Sequence, residues 1–156
     1  MKHLLFFLTY MVITACQSDD NNEQFIVDTA INIAVKDNDG NDLLNPNNSN
    51  ALNQNEFQII YEIDGKQTVV NDKNLNYPNG FFVYPHEKEY RIRIFPNTTK
   101  SSSNPITYVK WNKTDTDTIR CEINRSGNTE VCKKVWLNNK LVWEAYDTER
   151  FFEIIK

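Results

Sequence analysis

The chain has 156 residues, with 17 Lys and Arg against 21 Asp and Glu and a formal net charge of −4. That length suits one domain with a proper hydrophobic core. No basic run is present, which speaks against nucleic-acid binding, because neutralising phosphates takes clustered Lys and Arg.

Residues 1–15 open with Lys2 and His3, run through apolar side chains from Leu4 to Ile13 and end on the small Ala15. Such a segment is built as a secretory signal peptide and is too short for an ordinary membrane-spanning helix. The stretch Ile13-Thr14-Ala15-Cys16 resembles the lipobox of bacterial lipoproteins. The resemblance implies cleavage before Cys16, with lipid on its sulfur and on the new amino group. The competing reading is an ordinary signal peptide with a chance cysteine. Several acyl chains hold a membrane stably where one does not. Residues 16–24 read as a lipidated flexible tether, since Gln17-Ser18-Asp19-Asp20-Asn21-Asn22 is too polar to order itself. The pair Asp19-Asp20 is similar to the surface-export signal of Bacteroidetes lipoproteins, which implies a surface-exposed protein on the cell outer membrane. Its periplasmic face is the alternative location. Loss of Lys2 with the leader leaves 141 residues, 16 basic and 21 acidic, with a net charge of −5.

Residues 25–156 carry a β pattern. Thr29, Ile31, Ile33 and Val35 alternate with Ala30, Asn32, Ala34 and Lys36. Phe57, Ile59, Tyr61 and Ile63 alternate with Gln58, Ile60, Glu62 and Asp64, and Tyr90, Ile92 and Ile94 with Arg91, Arg93 and Phe95. Period two with β-branched and aromatic residues predicts strands. Turn clusters separate them at Asp37 to Asn41, Asp64-Gly65, Pro78-Asn79-Gly80 and Asn97 to Asn104. Residues 42–56 form a polar, Asn-rich surface loop with room for one helical turn. About nine or ten short strands without a long helical period predict an all-β fold: a single antiparallel β-sandwich, immunoglobulin-like in shape. No repeat or second domain is visible, so 25–156 is one domain.

The C-terminal part gives a register. A turn over Arg125-Ser126-Gly127-Asn128 sets Cys121 opposite Cys132 and Ile123 opposite Glu130. With Cys16 lipidated, these two cysteines remain, and an exported protein meets an oxidising compartment, so a Cys121–Cys132 disulfide is predicted. A bridge across so short a loop is worth about 2–3 kcal/mol if unstrained. A second hairpin turns at Asn138-Asn139, where both residues tolerate positive φ. Carried through both turns without bulges, parity places Ile119, Cys121, Ile123, Cys132, Trp136, Leu141 and Trp143 on the core face. Arg120, Glu122, Val131, Lys133 and Val135 fall on the opposite face.

Catalytic signatures are weak. The mature chain keeps one histidine, His86, in a turn-like Tyr84-Pro85-His86-Glu87-Lys88, so multi-His metal sites are out and a triad would rest on one residue. Asp37 to Asp42 looks like a calcium loop, but aligning Gly40 puts Val35 at the first ligand and Pro46 at the last. A tight turn explains the same residues, with weak calcium binding by Asp37, Asp39 and Asp42 as the alternative. No two carboxylates are paired by the sequence, so neither a catalytic residue nor a metal or other cofactor is assigned. Asp28-Thr29-Ala30 and Asp117-Thr118-Ile119 resemble the acceptor motif of Bacteroidetes O-glycosylation.

Binding is the stronger reading. Tyr77, Phe81, Phe82 and Tyr84 gather around Pro78-Asn79-Gly80, and Trp111 follows Tyr108. Exposed rings stack on sugar or peptide faces, while buried ones are simply core. Tyr77, Phe81, Tyr84 and Trp111 are the candidate ligand-binding residues. The chain reads as a non-enzymatic, lipid-anchored envelope protein similar to small β-rich Bacteroidetes lipoproteins, held to the membrane through Cys16 and binding a glycan, a peptide or a partner protein. The alternative is a periplasmic protective lipoprotein of the inhibitor or immunity type. Its acidic charge would suit a basic toxin or lytic enzyme.

Overall fold

A computed structural model describes residues 25–146 and 148–156. The signal peptide, Cys16 and the tether of residues 16–24 lie outside the described residues. The described chain forms β1 (Ile26–Asp28), β2 (Ile31–Lys36), β3 (Gln58–Ile63), β4 (Lys66–Val69), β5 (Phe81–His86), β6 (Glu89–Ile94), β7 (Ile106–Lys110), β8 (Thr116–Ser126), β9 (Thr129–Leu137), β10 (Lys140–Glu144) and β11 (Phe151–Ile155). The polar loop before β3 contains one 3-10 turn, Gln54–Glu56, whose start is capped by the Asn53 side chain accepting from the Asn55 N–H.

The strands form two sheets packed as a sandwich. One has seven strands in the order β1-β9-β8-β7-β3-β4, with β10 also on β9. The other has four, β11-β2-β6-β5. Both are mixed, which corrects the expected purely antiparallel arrangement: β1 pairs β9 in parallel and β11 pairs β2 in parallel. Parallel neighbours cannot be joined by a tight turn. These pairs instead join strands distant in sequence, invisible to local pattern.

Alternation builds the core. Ile31, Ile33, Val35, Ile92, Ile94, Phe152 and Ile154 point inward from the smaller sheet and meet Ile59, Val109, Trp111, Ile119, Cys121 and Val135 of the larger. Turns form where positive φ is tolerated: Asp64 and Gly65 at 51° and 75°, and Asn138 and Asn139 at 47° and 69°. Two adjacent positive φ values match the right-handed twist of a two-residue hairpin.

The β8–β9 register differs from the expected one. The turn is Gly127-Asn128, so Ser126 pairs Thr129 and Ile123 pairs Cys132. Gly127 takes the positive φ of 53°. Beyond Cys132 the register shifts, Glu122 pairing Lys134 and Cys121 pairing Val135, which leaves Lys133 as an extra residue. A bulge of this kind inverts the alternation downstream. Val135 is therefore buried, while Trp136 turns outward beneath the Arg120 guanidinium, 4.5 Å from its ring. Leu141 still faces Trp136 as expected but is 45% exposed. A second bulge between Leu141 and Trp143 restores the alternation and buries Trp143.

The β9 edge changes partner midway. β1 covers Thr129 to Val131, and β10 covers Lys134 to Leu137. Arg150 fills the gap. Its Nη2 donates to the Cys132 carbonyl (3.3 Å) and its Nη1 to the Ala30 carbonyl (2.8 Å) and to Asp28 (3.0 Å). The Arg150 hydrogen bond holds the Asp28 carboxyl below its ordinary range. Buried carbonyls stripped of donors cost about 1–3 kcal/mol each. Arg150→Ala should therefore lower stability by about 2–4 kcal/mol. The measurement is the urea midpoint at unchanged slope. A loss below about 1 kcal/mol would mean that water replaces the guanidinium.

Candidate functional site

The outer face of the four-stranded sheet carries the candidate site. In β5, Phe81 and Val83 pair Ile94 and Ile92 and share their inward direction. Phe82, Tyr84 and His86 alternate with them and point outward. Tyr77 comes over from the preceding loop and stacks on Phe82, with ring centroids 4.1 Å apart and planes at 19°. It also stacks on Phe95 at 5.6 Å, and Phe82 contacts Tyr84 at 5.5 Å. Tyr77 remains 42% exposed.

Local chemistry positions Tyr77. The Gly80 N–H donates to the Tyr77 carbonyl (3.0 Å), closing a turn over Pro78 and Asn79. The Asp72 N–H donates to the Pro78 carbonyl (2.9 Å), and the Asp72 carboxylate accepts from the Asn74 N–H (3.0 Å). Gly80 has a φ of 76°, and a Cβ there would lie 3.0 Å from Val70 Cγ1. The positive φ favours glycine here, and an added Cβ would press on Val70.

Beside the rings lies a cavity of about 320 Å³, lined by Tyr61, Val70, Leu75, Asn76, Tyr77 and Phe95. The Tyr61 hydroxyl donates to the Phe95 carbonyl (2.8 Å), and burial pushes its pKa up to about 12. It stays protonated at neutral pH and serves as a donor. Arg93 pairs Phe82 in register, and its guanidinium carbon lies 5.9 Å from the Tyr84 ring.

Two of the four sequence candidates meet here, Tyr77 and Tyr84. Phe81 belongs to the core, its ring 5.9 Å from Phe57. Trp111 is also core, with no exposed surface. Its ring lies edge-on to Phe57 at 5.2 Å, and its indole N–H donates to Asp117 (2.7 Å). Burial pushes the Asp117 carboxyl up, but hydrogen bonds from Lys156, Asn138 and Trp111 outweigh it and hold the group below its ordinary range. Phe82 and Phe95 are the residues missing from the sequence assignment. Parity alone identifies Phe82, since Phe81 and Tyr84 are three apart and cannot share a strand face.

Two of the three calcium candidates, Asp37 and Asp42, already accept hydrogen bonds from the protein. Asp37 accepts from the backbone of Asp39 and Asn41 and from the side chains of Asn41 and Asn50. Asp42 accepts from the Leu44 and Tyr90 N–H groups. His86 stacks edge-on with Tyr84 at 6.2 Å. Thr29, one of the two glycosylation candidates, is 5% exposed.

Cys121 and Cys132 are both buried free thiols, not the expected bridge. With the corrected register they lie diagonally and not face to face, and the Cys132 thiol donates to the Lys134 carbonyl (3.5 Å). The adjacent Cys132 thiol and burial push the Cys121 thiol well above the ordinary range.

Compared with known protein families, with curated proteins and with solved structures, the chain matches none of them.

Proposed function

We propose that this chain is a lipid-anchored, non-catalytic binding lipoprotein of the cell envelope that holds a glycan on the face built from Tyr77, Phe82, Tyr84 and Phe95. The observation that carries this reading is the stacked row of rings outside the core, with Tyr77 42% exposed. A sugar ring presents a flat C–H face to such rings, and nearby polar groups fix its orientation. Asn76 at the cavity and Arg93 beside Phe82 supply those groups.

The anchor and surface location rest on the residues around Cys16 and on Asp19-Asp20. Export would place the Cys121 and Cys132 thiols in an oxidising compartment, and we propose that the pair closes there. The two thiols lie on neighbouring strands, and closing the bridge from this diagonal arrangement requires the strands to shift. The immunoglobulin-like shape belongs to the same proposal and is supported by two packed sheets.

Three outcomes are expected. Tyr77→Ala, Phe82→Ala and Tyr84→Ala should each weaken glycan binding by about 1–2 kcal/mol with little change in melting temperature. Equal losses of stability and binding would assign the rings to packing. Protease added to intact cells should remove a C-terminal tag while a periplasmic control survives. Protection of the tag would favour the inward-facing inhibitor alternative. Non-reducing intact mass of the exported protein should fall two hydrogens below that of the dithiol, and two alkylatable thiols would refute the bridge.

A further inference from the structure

A cleft of about 540 Å³ opens where the β9 edge passes from β1 to β10. It is within the size range of small-molecule sites. Its walls include Asn32, Arg93, Lys133, Trp143, Tyr146 and Arg150.

The charge of this cleft opposes that of the chain. The protein is acidic, at −4, yet three cations line one cleft. The two carboxylates in the wall are already matched: Asp28 to Arg150 at 3.0 Å, and Glu149 to Arg91 at 3.0 Å. Arg93 and Lys133 pair with no carboxylate among the described residues. Arg93 donates its Nε–H to the Asn32 side-chain oxygen (2.9 Å), and Lys133 donates to the Tyr146 hydroxyl (2.6 Å). Two positive charges whose direct hydrogen-bond partners are neutral thus face one cleft, and both act on the Asp28 carboxylate through space.

Two buried donors lie behind the cleft wall, as the Nε–H groups of Arg120 and Arg125 lie buried elsewhere. Trp143 is 8% exposed, and its indole N–H has no acceptor among the described residues; the neighbouring Arg150 Nε–H has none there either. Buried donors are nearly always satisfied, so each such group calls for a specific cause. Lys133 is also the extra residue of the β9 bulge. Bulges re-aim a side chain at the cost of a ladder position, and they recur beside functional sites.

The rim supplies a ring. Tyr146 is 77% exposed, with the Lys133 ammonium 3.9 Å from its centroid. Arg93 joins the cleft to the aromatic face, because it lies between Asn32 and Phe82 in register. Neighbouring strands are about 4.8 Å apart, so the two regions are contiguous on the scale of one or two sugar rings.

We propose that the cleft is an anion subsite for an acidic glycan, with Arg93 and Lys133 holding a carboxylate or sulfate on a sugar ring next to the ring stacked at Tyr77 and Phe82. This rests on the glycan reading of the aromatic face. The test is calorimetric titration of the full chain in neutral detergent with oligogalacturonate, a sulfated galactose oligomer and the neutral galactose oligomer. One of the two acidic probes should bind at least about tenfold more tightly than the neutral one, and added salt should remove the difference. Which of them binds identifies the anion. Lys133→Gln should cost about tenfold for that probe and leave neutral binding unchanged, whereas Tyr77→Ala weakens both. Equal affinity for acidic and neutral probes overturns the subsite while the aromatic-face reading stands. Acidic binding untouched by Tyr77→Ala supports the subsite and overturns the aromatic-face reading. No binding of any probe overturns both.

Discussion

One extra residue in β9 shapes much of this molecule. Between the partners of Ile123 and Glu122 the strand carries Lys133 with no counterpart in β8. Downstream of it the two strand faces exchange roles. Val135 enters the core and Trp136 leaves it, and the hairpin into β10 recovers the original sense only through a second bulge before Trp143. On the other edge of β9, the same stretch is where β1 gives way to β10. The packing, the edge pairing and the main cleft all follow from this one local irregularity.

Such an irregularity leaves polar backbone groups to be satisfied, and Arg150 does this for the Cys132 and Ala30 carbonyls. A guanidinium suits the task because its fork presents several donors in one plane. Its position also explains the low pKa of Asp28, which is held by the same group. On the opposite side of the fold, Asp117 ties Trp111, Asn138 and Lys156 together, bringing the end of β11 to the start of β8. Polar ties of this sort fix the two sheets where apolar packing alone would be permissive.

Most strands are legible in the sequence because burial on one face imposes period two. Ile31, Ile33 and Val35 show it, and so does the hairpin at Asn138-Asn139, where turn chemistry sets the register as far as Trp136 and Leu141. The bulges are not legible, since no residue in Cys132-Lys133-Lys134 signals an extra position. The aromatic site is half legible. Tyr77 and Tyr84 belong to it, but an aromatic ring reads the same whether buried or exposed, and only strand parity separates Phe82 from Phe81. Trp111 fails as a ligand residue because it continues the inward alternation of Thr107 and Val109 past the end of β7.

Each sheet ends, at the end of its strand order away from the cleft, in an edge strand of its own character: β4 in the larger and β5 in the smaller. β4 has four residues and begins with Lys66; β5 carries Pro85, which has no N–H to offer. Charged and proline-bearing edges resist the addition of a foreign strand. A passing polypeptide therefore finds no full-length uninterrupted ladder to extend on either of these edges. Recognition on this side is left to side-chain surfaces, and self-association through backbone pairing is disfavoured by the charge of one edge and the proline of the other.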